Sequence, residues 1–308
     1  MQQLTRRSVL HRGSLWLGAL AVHESLALPL SEAVRLFAAE PDTSSAPAVE
    51  PLLRFGLITD LHYADKPATG TRHYRDSLDK LAAAAKQFGE QQPRFLVELG
   101  DLVDAAATVE AELAYLKRID ETFAAISPDR HYVLGNHCVM TLSKPEFLSG
   151  VGRKESYYSF DVSGFHFVVL DACFLGDGQP YHRQNFSWDD ANIPPVEIDW
   201  LRADLKQTDK PTIVFAHQRL DNAKQHAIKN AAAVRSVLEE SHKVLAAFQG
   251  HSHQNDHQEI AGIHYCTLRA MVEGAGVENN AFTQIDILPG QTLRVTGFQK
   301  QNSYDWKP

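Results

Sequence analysis

Five short apolar segments of the chain each run directly into a turn that carries Asp, Asn or His. The polar residues that follow these segments are Asp60-Leu61-His62, Gly100-Asp101, Gly135-Asn136-His137, His217 and Gly250-His251-Ser252-His253. Apolar runs of this length predict buried β-strands. Ligands of open α/β sheets collect beyond the carboxyl ends of the strands, so the five turns are expected to face one crevice.

The order of the predicted elements indicates an α/β fold. In the first half, strands at 52–59, 94–101 and 131–137 alternate with helices that begin near Asp76 and Thr108, which is the order of βαβ units. The second half has one predicted helix at 196–205, and its strands are predicted at 165–172, 212–217, 244–250, 262–268, 281–288 and 292–298. We therefore expect two sheets packed face to face with helices outside. Segment 176–195, between the strand at 165–172 and the helix at 196–205, is predicted to be a long irregular loop that is either functional or mobile.

The first 51 residues differ in composition from the rest of the chain. Residues 1–39 resemble a twin-arginine signal, because Arg6-Arg7 precede a weakly apolar stretch at 15–22. That stretch is shorter than the roughly 20 residues of a spanning helix, so no stable membrane span is expected. Residues 40–51 are a predicted linker and residues 52–308 a single domain.

We expect residues 1–39 to use the twin-arginine export machinery of a bacterium, which would place the protein in the periplasm or outside the cell. The alternative is that this segment forms a basic amphipathic helix of the fold itself.

Charge and cysteine content exclude several classes of protein. The formal net charge of −8 leaves no basic footprint for nucleic acid. Cys138, Cys173 and Cys266 are too few for a disulfide framework, and none has the spacing of a zinc finger. The count of 15 histidines is the unusual feature of the composition.

The chemistry of the polar turns indicates a metal centre. Carboxylates and neutral imidazoles suit manganese, iron, zinc or cobalt, whereas sites for magnesium or calcium are built from oxygen ligands alone. Each turn alone is more often an ordinary turn, but two imidazoles at His251 and His253 have few structural uses. Six or seven ligands exceed one tetrahedral ion and fit two ions that share a bridge.

The series of motifs resembles that of the calcineurin-like metallophosphoesterases. The matching motifs, in chain order from Phe55 to His253, are DLH, GDLVD, GNHC, a single His and GHSH. The resemblance implies an α/β fold that is a four-layer αββα sandwich of two mixed sheets. It also implies a dinuclear metal site at the strand ends. The stretches TRHYRDSL (71–78) and HYCTLRAMVEG (264–274) resemble the branch of manganese-dependent ADP-ribose/CDP-alcohol diphosphatases and their bacterial relatives.

The resemblance assigns a role to each motif residue. The ligands of the first ion would be Asp60, His62 and His253. The ligands of the second ion would be Asn136, His217 and His251. Asp101 would bridge the two ions, and His137 would be catalytic beside them, stabilising the transition state or protonating the leaving oxygen. The implied cofactors are two divalent or mixed-valence ions of manganese, iron or zinc.

The chain departs from the family pattern at two positions. Cys138 follows the Asn-His pair, where the family often has an acidic residue, so another group is expected to orient His137. Asp104 stands where the purple acid phosphatases would have Tyr, so a ferric tyrosinate is not expected.

The implied reaction is hydrolysis of a phosphodiester, pyrophosphate or phosphomonoester bond by a hydroxide that bridges the metal ions. Two ions lower the pKa of water from about 15.7 to about 7. The expected substrate is a small phosphorylated, nucleotide-like compound, and Arg72, Arg75 or Arg219 would contact its phosphates.

Three acidic residues, Glu98, Asp104 and Asp256, are candidate partners of the histidine ligands by nearness in the sequence. Two other classes of protein remain open at this point. One is a non-catalytic phosphate- or metal-binding protein of the same fold, and the other is a single-metal oxygenase. An oxygenase would need two histidines and one carboxylate, which leaves Asn136 and the further ligands unexplained.

Overall fold

A computed structural model describes residues 49–307, whose strands form two six-stranded sheets. Residues 1–48 and 308 lie outside the described residues, and with them the predicted signal and most of the predicted linker. The strands are β1 (Leu53–Ile58), β2 (Leu96–Glu98), β3 (Arg130–Tyr132), β4 (Tyr158–Val162), β5 (Phe165–Val169), β6 (Thr212–Phe215), β7 (Val244–Gln249), β8 (Asp256–Ile260), β9 (Ile263–Thr267), β10 (Ala281–Ile287), β11 (Leu293–Gln299) and β12 (Tyr304–Trp306).

The described helices lie outside the sheets. They are α1 (Ser77–Gln91), α2 (Val109–Ala124), α3 (Lys144–Gly150), α4 (Pro195–Gln207) and α5 (Ala231–Ser241). Helix α2 begins at an N-cap whose side chain, that of Thr108, accepts a hydrogen bond from the N–H of Ala111. Between residues 49 and 307, no helix is both long and apolar enough to cross a membrane.

Both sheets are mixed. The first has the order β12-β11-β10-β1-β2-β3, and the second has the order β4-β5-β6-β7-β9-β8. Strands β1, β2 and β3 are parallel, as are β5, β6, β7 and β9. The carboxyl ends of parallel neighbours lie at the same edge of a sheet, which is where the polar turns were expected to meet.

Alternate residues of each strand face different layers, because successive side chains point to opposite faces. In β6, Ile213 and Phe215 belong to the core between the sheets, whereas Val214 belongs to the core beneath the helices. Phe55 stacks on Phe95 between the sheets, with ring centroids 5.0 Å apart. This packing is the αββα sandwich, and the predicted fold class is confirmed.

The predicted elements agree with the structure in most places. The predicted strands at 94–101 and 131–137 are each only three residues long, because a glycine turn starts directly after each apolar run. Helices α3 and α5 and strands β4, β8 and β12 were not predicted. Strand β8 has the sequence DHQEI and lies at a sheet edge, so it lacks the apolar pattern of a buried strand.

Candidate metal centre

Hydrogen bonds join the polar turns of neighbouring strands. The N–H of Asp60 donates to the carbonyl of Gly100 over 3.0 Å, and the N–H of Gly250 donates to the carbonyl of His217 over 2.9 Å. The N–H of His251 donates to Oδ2 of Asp60 over 3.1 Å, which links the turns of the two sheets. The strand ends of both sheets therefore form one polar cluster.

Five of the residues assigned to metal binding have a left-handed backbone. They are Asp60 (φ 52°), His62 (φ 44°), Asp101 (φ 60°), His251 (φ 67°) and His253 (φ 60°). This region is uncommon for residues other than glycine. Such strain of about 1–3 kcal/mol per residue persists only where the surroundings enforce it, and it concentrates at functional sites. The left-handed backbone of these turns directs the side chains towards one another.

Three glycines of the motifs leave room for these side chains. A Cβ atom on Gly135 would collide with the carboxylate and backbone of Asp101, and one on Gly100 would collide with the ring of His217. A Cβ atom on Gly250 would collide with the side chains of the two residues that directly follow β1. Each glycine lets a ligand approach more closely than a side chain would allow.

The first ligand group consists of Asp60, His62 and His253. Oδ1 of Asp60 lies 3.3 Å from Nε2 of His253 and 3.6 Å from Nε2 of His62. The two Nε2 atoms of His62 and His253 are 3.1 Å apart. Two nitrogens and a carboxylate oxygen thus converge on one point, as a cation would require.

The second group contains Asp101, His217 and His251, whose ligand atoms lie within 4.8 Å of one another. Oδ2 of Asp101 is 3.1 Å from Nε2 of His217. The same oxygen is 3.5 Å from Nε2 of His62, so Asp101 lies between the two groups. This is the position that a bridging carboxylate needs.

The assigned ligand atoms fit two divalent ions. Four of them are buried without any hydrogen-bond partner: Oδ1 of Asp60, Oδ1 of Asn136, Nε2 of His217 and Nε2 of His251. A buried polar atom without a partner costs about 1–3 kcal/mol, so proteins rarely leave several together. A set of imidazole nitrogens with carboxylate and amide oxygens suits divalent transition metals. Metal ions would satisfy every one of these atoms.

In two of the histidines assigned to metal binding, the ring nitrogen that does not face the cluster has a partner of its own. Nδ1 of His217 donates to the carbonyl of Leu99 over 2.9 Å. Nδ1 of His253 donates to Oε1 of Glu273 over 2.6 Å. Such partners set the tautomer and leave Nε2 free to bind metal.

Of the three acidic residues predicted to orient histidine ligands, only Asp104 does so, with Oδ2 3.4 Å from Nδ1 of His62. Asp256 instead pairs with Arg219 over 2.5 Å. Glu98 is buried and both carboxylate oxygens lack a partner, and burial raises its pKa well above the usual value. Sequence reasoning missed Glu273, because it lies 20 residues beyond His253 with no spacing rule to connect them.

The carboxylates of the metal-free cluster raise the pKa values of two histidines that are assigned to metal binding. Burial opposes charge on His217, but Asp101 outweighs burial and raises the pKa of His217 to about 9. Burial opposes charge on His253 too, but Asp60 and Glu273 raise its pKa to about 9. Burial also opposes ionisation of Asp60, yet the charge of His253 holds that pKa well below the usual value. The carboxylates therefore attract positive charge strongly.

His137 lies at the edge of the cluster. Its backbone N–H donates to Oδ1 of Asp101 over 2.7 Å, and its ring packs edge-on against His62 with centroids 4.5 Å apart. Nδ1 of His137 is 3.1 Å from Oδ1 of Asp104, which supplies the orienting acid that Cys138 does not. Cys138 itself is fully buried, and burial raises its pKa well above the usual value.

A cavity of about 150 Å³ opens over the cluster. It is lined by Arg72, Asp101, Asn136, His137, Trp188, His226, His251 and His253. Arg75 and Arg219 do not line it, because Arg75 pairs with the exposed Asp65 and Arg219 pairs with Asp221 and Asp256. Of the three predicted phosphate contacts, the structure brings only Arg72 to the cavity.

Two cavity residues were not predicted. Trp188 belongs to the irregular segment 176–195 and is 39% exposed. His226 has a left-handed backbone (φ 72°), and its ring centroid lies 5.1 Å from that of Trp188 and 5.3 Å from that of His251. The length of the segment that contains Trp188 was the available signal, whereas no motif surrounds His226.

Two packed sheets with a cluster of metal ligands at their strand ends define a metal-dependent hydrolase of phosphoric ester or anhydride bonds. The family model described as calcineurin-like phosphoesterase matches residues 53–255, and the chain belongs to this family. The predicted family and enzyme class are confirmed. Family membership argues against the single-metal oxygenase, and the filled ligand positions together with the catalytic relatives described next argue against a non-catalytic protein.

Known relatives carry a more specific activity. The manganese-dependent ADP-ribose/CDP-alcohol diphosphatase of Oryza sativa subsp. japonica is 25% identical, and the match covers 80% of this chain and 91% of the relative. The diphosphatase of the same name from Danio rerio is 27% identical, and the match covers 73% of this chain and 89% of the relative.

A crystal structure of a dimetal phosphatase from Danio rerio has the same fold. It superposes with a TM-score of 0.73 at 22% sequence identity, and the match covers 83% of this chain and 99% of that protein.

Proposed function

We propose that the protein is a manganese-dependent diphosphatase that cleaves the pyrophosphate bond of nucleotide-like compounds of the ADP-ribose and CDP-alcohol type. The observation that carries the proposal is the match to diphosphatases of that name over 73% or more of this chain and 89% or more of theirs. Two divalent ions would supply the positive charge that activates water and stabilises the phosphoryl oxygens.

The residues over the cluster suit such a substrate. Arg72 at the cavity offers a guanidinium to phosphate oxygens. The partly exposed ring of Trp188 offers a flat surface on which a base can stack. His137 is placed beside Asp101 and is oriented by Asp104, so it can give a proton to the phosphate oxygen that leaves.

The proposal is tested by comparing substrates at one manganese concentration. We expect ADP-ribose to give AMP and ribose 5-phosphate, and CDP-choline to give CMP and phosphocholine. Chromatography would measure the products of both reactions. The value of kcat/KM for these compounds should exceed that for p-nitrophenyl phosphate by roughly a hundredfold, because the second phosphate contributes contacts that a monoester lacks. A preference for the monoester or for bis-p-nitrophenyl phosphate would contradict the diphosphatase assignment while leaving the phosphoesterase class intact.

Trp188→Ala separates substrate recognition from catalysis. This variant should raise KM for CDP-choline and leave the turnover of bis-p-nitrophenyl phosphate near the wild-type level. Phe186→Ala is a control in the same segment, since that ring stacks on Tyr181, with centroids 4.0 Å apart, and does not line the cavity. An equal effect of Trp188→Ala on both substrates would contradict a role in stacking.

We also propose that residues 1–39 direct export through the twin-arginine machinery, which would place the mature enzyme in the periplasm or outside the cell. The support is the pair Arg6-Arg7 ahead of a weakly apolar stretch. Replacing both arginines by lysine should leave uncleaved protein in the cytoplasm. Normal secretion of this double variant would contradict the proposal.

A further inference from the structure

Lys80 is a fully buried lysine of helix α1. Its ammonium donates to three carbonyls, those of Met271 (2.8 Å), Glu273 (3.0 Å) and Gly274 (2.7 Å). An ammonium has three donors and no acceptor, so the charged form is matched by these three oxygens. Buried lysines are rare, because the charge must be compensated. Burial lowers the pKa of Lys80 to about 8. The three carbonyl oxygens are the contacts that compensate the buried charge.

The segment that Lys80 binds, residues 271–274, also bonds to the surroundings of the metal centre. The N–H of Val272 donates to the carbonyl of Asp60 over 3.0 Å. The N–H of Gly274 donates to the carbonyl of Thr71 over 2.8 Å. The segment therefore lies between helix α1, the end of β1 and the loop that carries Arg72.

Glu273 connects this segment to a metal ligand. Its carbonyl accepts from Lys80, and its carboxylate accepts from Nδ1 of His253 over 2.6 Å. With Nδ1 held in this way, Nε2 of His253 points at Oδ1 of Asp60, 3.3 Å away. A shift of the backbone at Glu273 would therefore rotate the ring of His253.

We propose that Lys80 is a positioning residue of the metal centre. By holding segment 271–274, it keeps the Glu273 carboxylate on His253 and keeps Nε2 of that ring where it would bind the first ion. The inference rests on the proposed ligand assignment of His253. A purely structural role would not distinguish the two ions. The positioning role predicts that loss of Lys80 lowers the affinity for one ion and not for the other.

The test measures Mn²⁺ binding to metal-free protein by calorimetry. Lys80→Met keeps the length of the side chain and removes its charge and donors. We expect the affinity for one ion to fall by roughly ten- to a hundredfold, which is the usual effect of losing the partner of a ligand, with the other affinity unchanged. Lys86→Met is the matched control, because Lys86 is an exposed lysine of the same helix.

The outcomes separate this inference from the proposed function. Wild-type affinities for both ions in Lys80→Met, even with a lower Tm, would overturn the positioning role. Failure of the wild-type protein to bind two ions would overturn the metal centre itself. If Lys80→Met does not fold, Lys80→Arg keeps the charge, but a planar guanidinium cannot reproduce the three contacts. The affinity of Lys80→Arg for one ion should still fall, and wild-type affinity for both ions in this variant would overturn the inference.

A double variant tests whether Lys80 acts through Glu273. Glu273→Gln alone should lower the affinity for the same ion. Combining it with Lys80→Met should lower that affinity little further, because both changes break the same connection from Lys80 to His253. Fully additive losses of affinity would show that Lys80 acts independently of Glu273 and would overturn the inference.

Discussion

Nδ1 of His137 lies 3.1 Å from Oδ1 of Asp104, and the other oxygen of Asp104 lies 3.4 Å from Nδ1 of His62. One carboxylate therefore orients both the histidine assigned to catalysis and a histidine assigned to metal binding. Burial opposes its ionisation, but the hydrogen bonds from His137 and His62 hold the pKa of Asp104 far below its usual value. Asp104 thus takes the place of the acidic residue that the family often has at position 138.

Asp104→Asn should lower activity by roughly 10–100-fold, as is usual when the partner of a catalytic or ligating histidine is lost. The amide keeps the shape of the side chain but not the charge that selects one tautomer of each ring. Steady-state kinetics at saturating Mn²⁺ would measure the loss. Asp65→Asn is the control, since Asp65 is exposed and pairs with Arg75. Unchanged kinetics in Asp104→Asn would show that the two rings are oriented by other groups.

Asp101→Asn and His137→Asn should separate binding of the metals from their use. Asp101 lies between the two ligand groups, so its loss should lower the metal content from about two ions per chain towards one or none. His137→Asn should keep both ions and lower kcat by roughly 10²–10⁴, as for a lost general acid. Metal analysis beside kinetics would distinguish the two. Loss of metal from His137→Asn would contradict the assignment of roles.

Gly135→Ala should disrupt the centre without touching a ligand directly. The added Cβ would overlap the carboxylate and backbone of Asp101, so that side chain must move. We expect loss of at least one ion and a fall in kcat of tenfold or more, because a catalytic group misplaced by roughly 1 Å has an effect of this size or larger. Gly89→Ala in helix α1 is the control, because a Cβ there meets no atom within 4 Å. Full metal content in Gly135→Ala would mean that the site tolerates a displaced Asp101.

Metal binding should release protons. In metal-free protein the pKa values of His217 and His253 are raised to about 9, so both rings are protonated at neutral pH. Ligation requires neutral imidazole, so about two protons should leave as the ions bind, and affinity should rise with pH up to about 9. Calorimetry at pH 7 in buffers of different ionisation enthalpy would count these protons. A binding enthalpy that does not depend on the buffer would contradict the prediction.

A second histidine site, distant in sequence from the metal motifs, should make stability depend on pH. The ring of His166 contacts Asp161 and Asp204, each over 2.8 Å. Burial opposes the charge on His166, but these carboxylates raise its pKa above the usual value. The contribution to stability is therefore fully present below the unfolded pKa of about 6.5 and is lost as pH rises through the higher folded pKa.

His166→Gln should lower the free energy of unfolding by roughly 1–2 kcal/mol at pH 6, because charge-assisted hydrogen bonds are lost, and by less at pH 9. Denaturant titration of both proteins at each pH would measure the difference, and the metal contribution cancels between them. A difference that grows with pH would contradict the sign. His242→Gln is a control, since the described hydrogen bonds and ion pairs include none from that side chain to a carboxylate.

Much of the fold could be predicted because apolar runs and polar turns are local features. The polar strand ends at Asp60, Asp101, Asn136, His217 and His251 can be read from the sequence alone. Asp101, Asn136 and His251 line one cavity in the structure, and the buried Asp60 and His217 contact these lining residues. Helix α5 and strand β8 were missed, because neither has a boundary signal as clear as these turns. The phosphate contacts were predicted less well, since an arginine in a sequence does not show its ion pairs. Arg219 illustrates this point, with two carboxylates that occupy its guanidinium.

The sequence by itself determined the class of fold, the family and the residue types of the metal centre, because each motif is a strand end with its own turn. Only the tertiary structure decided which groups support those residues. Glu273 reaches His253, Asp104 reaches His137 and Lys80 reaches segment 271–274 across separations that no local pattern encodes. The physical reason is that a buried polar group must find a partner wherever packing brings one, and packing is a property of the whole chain.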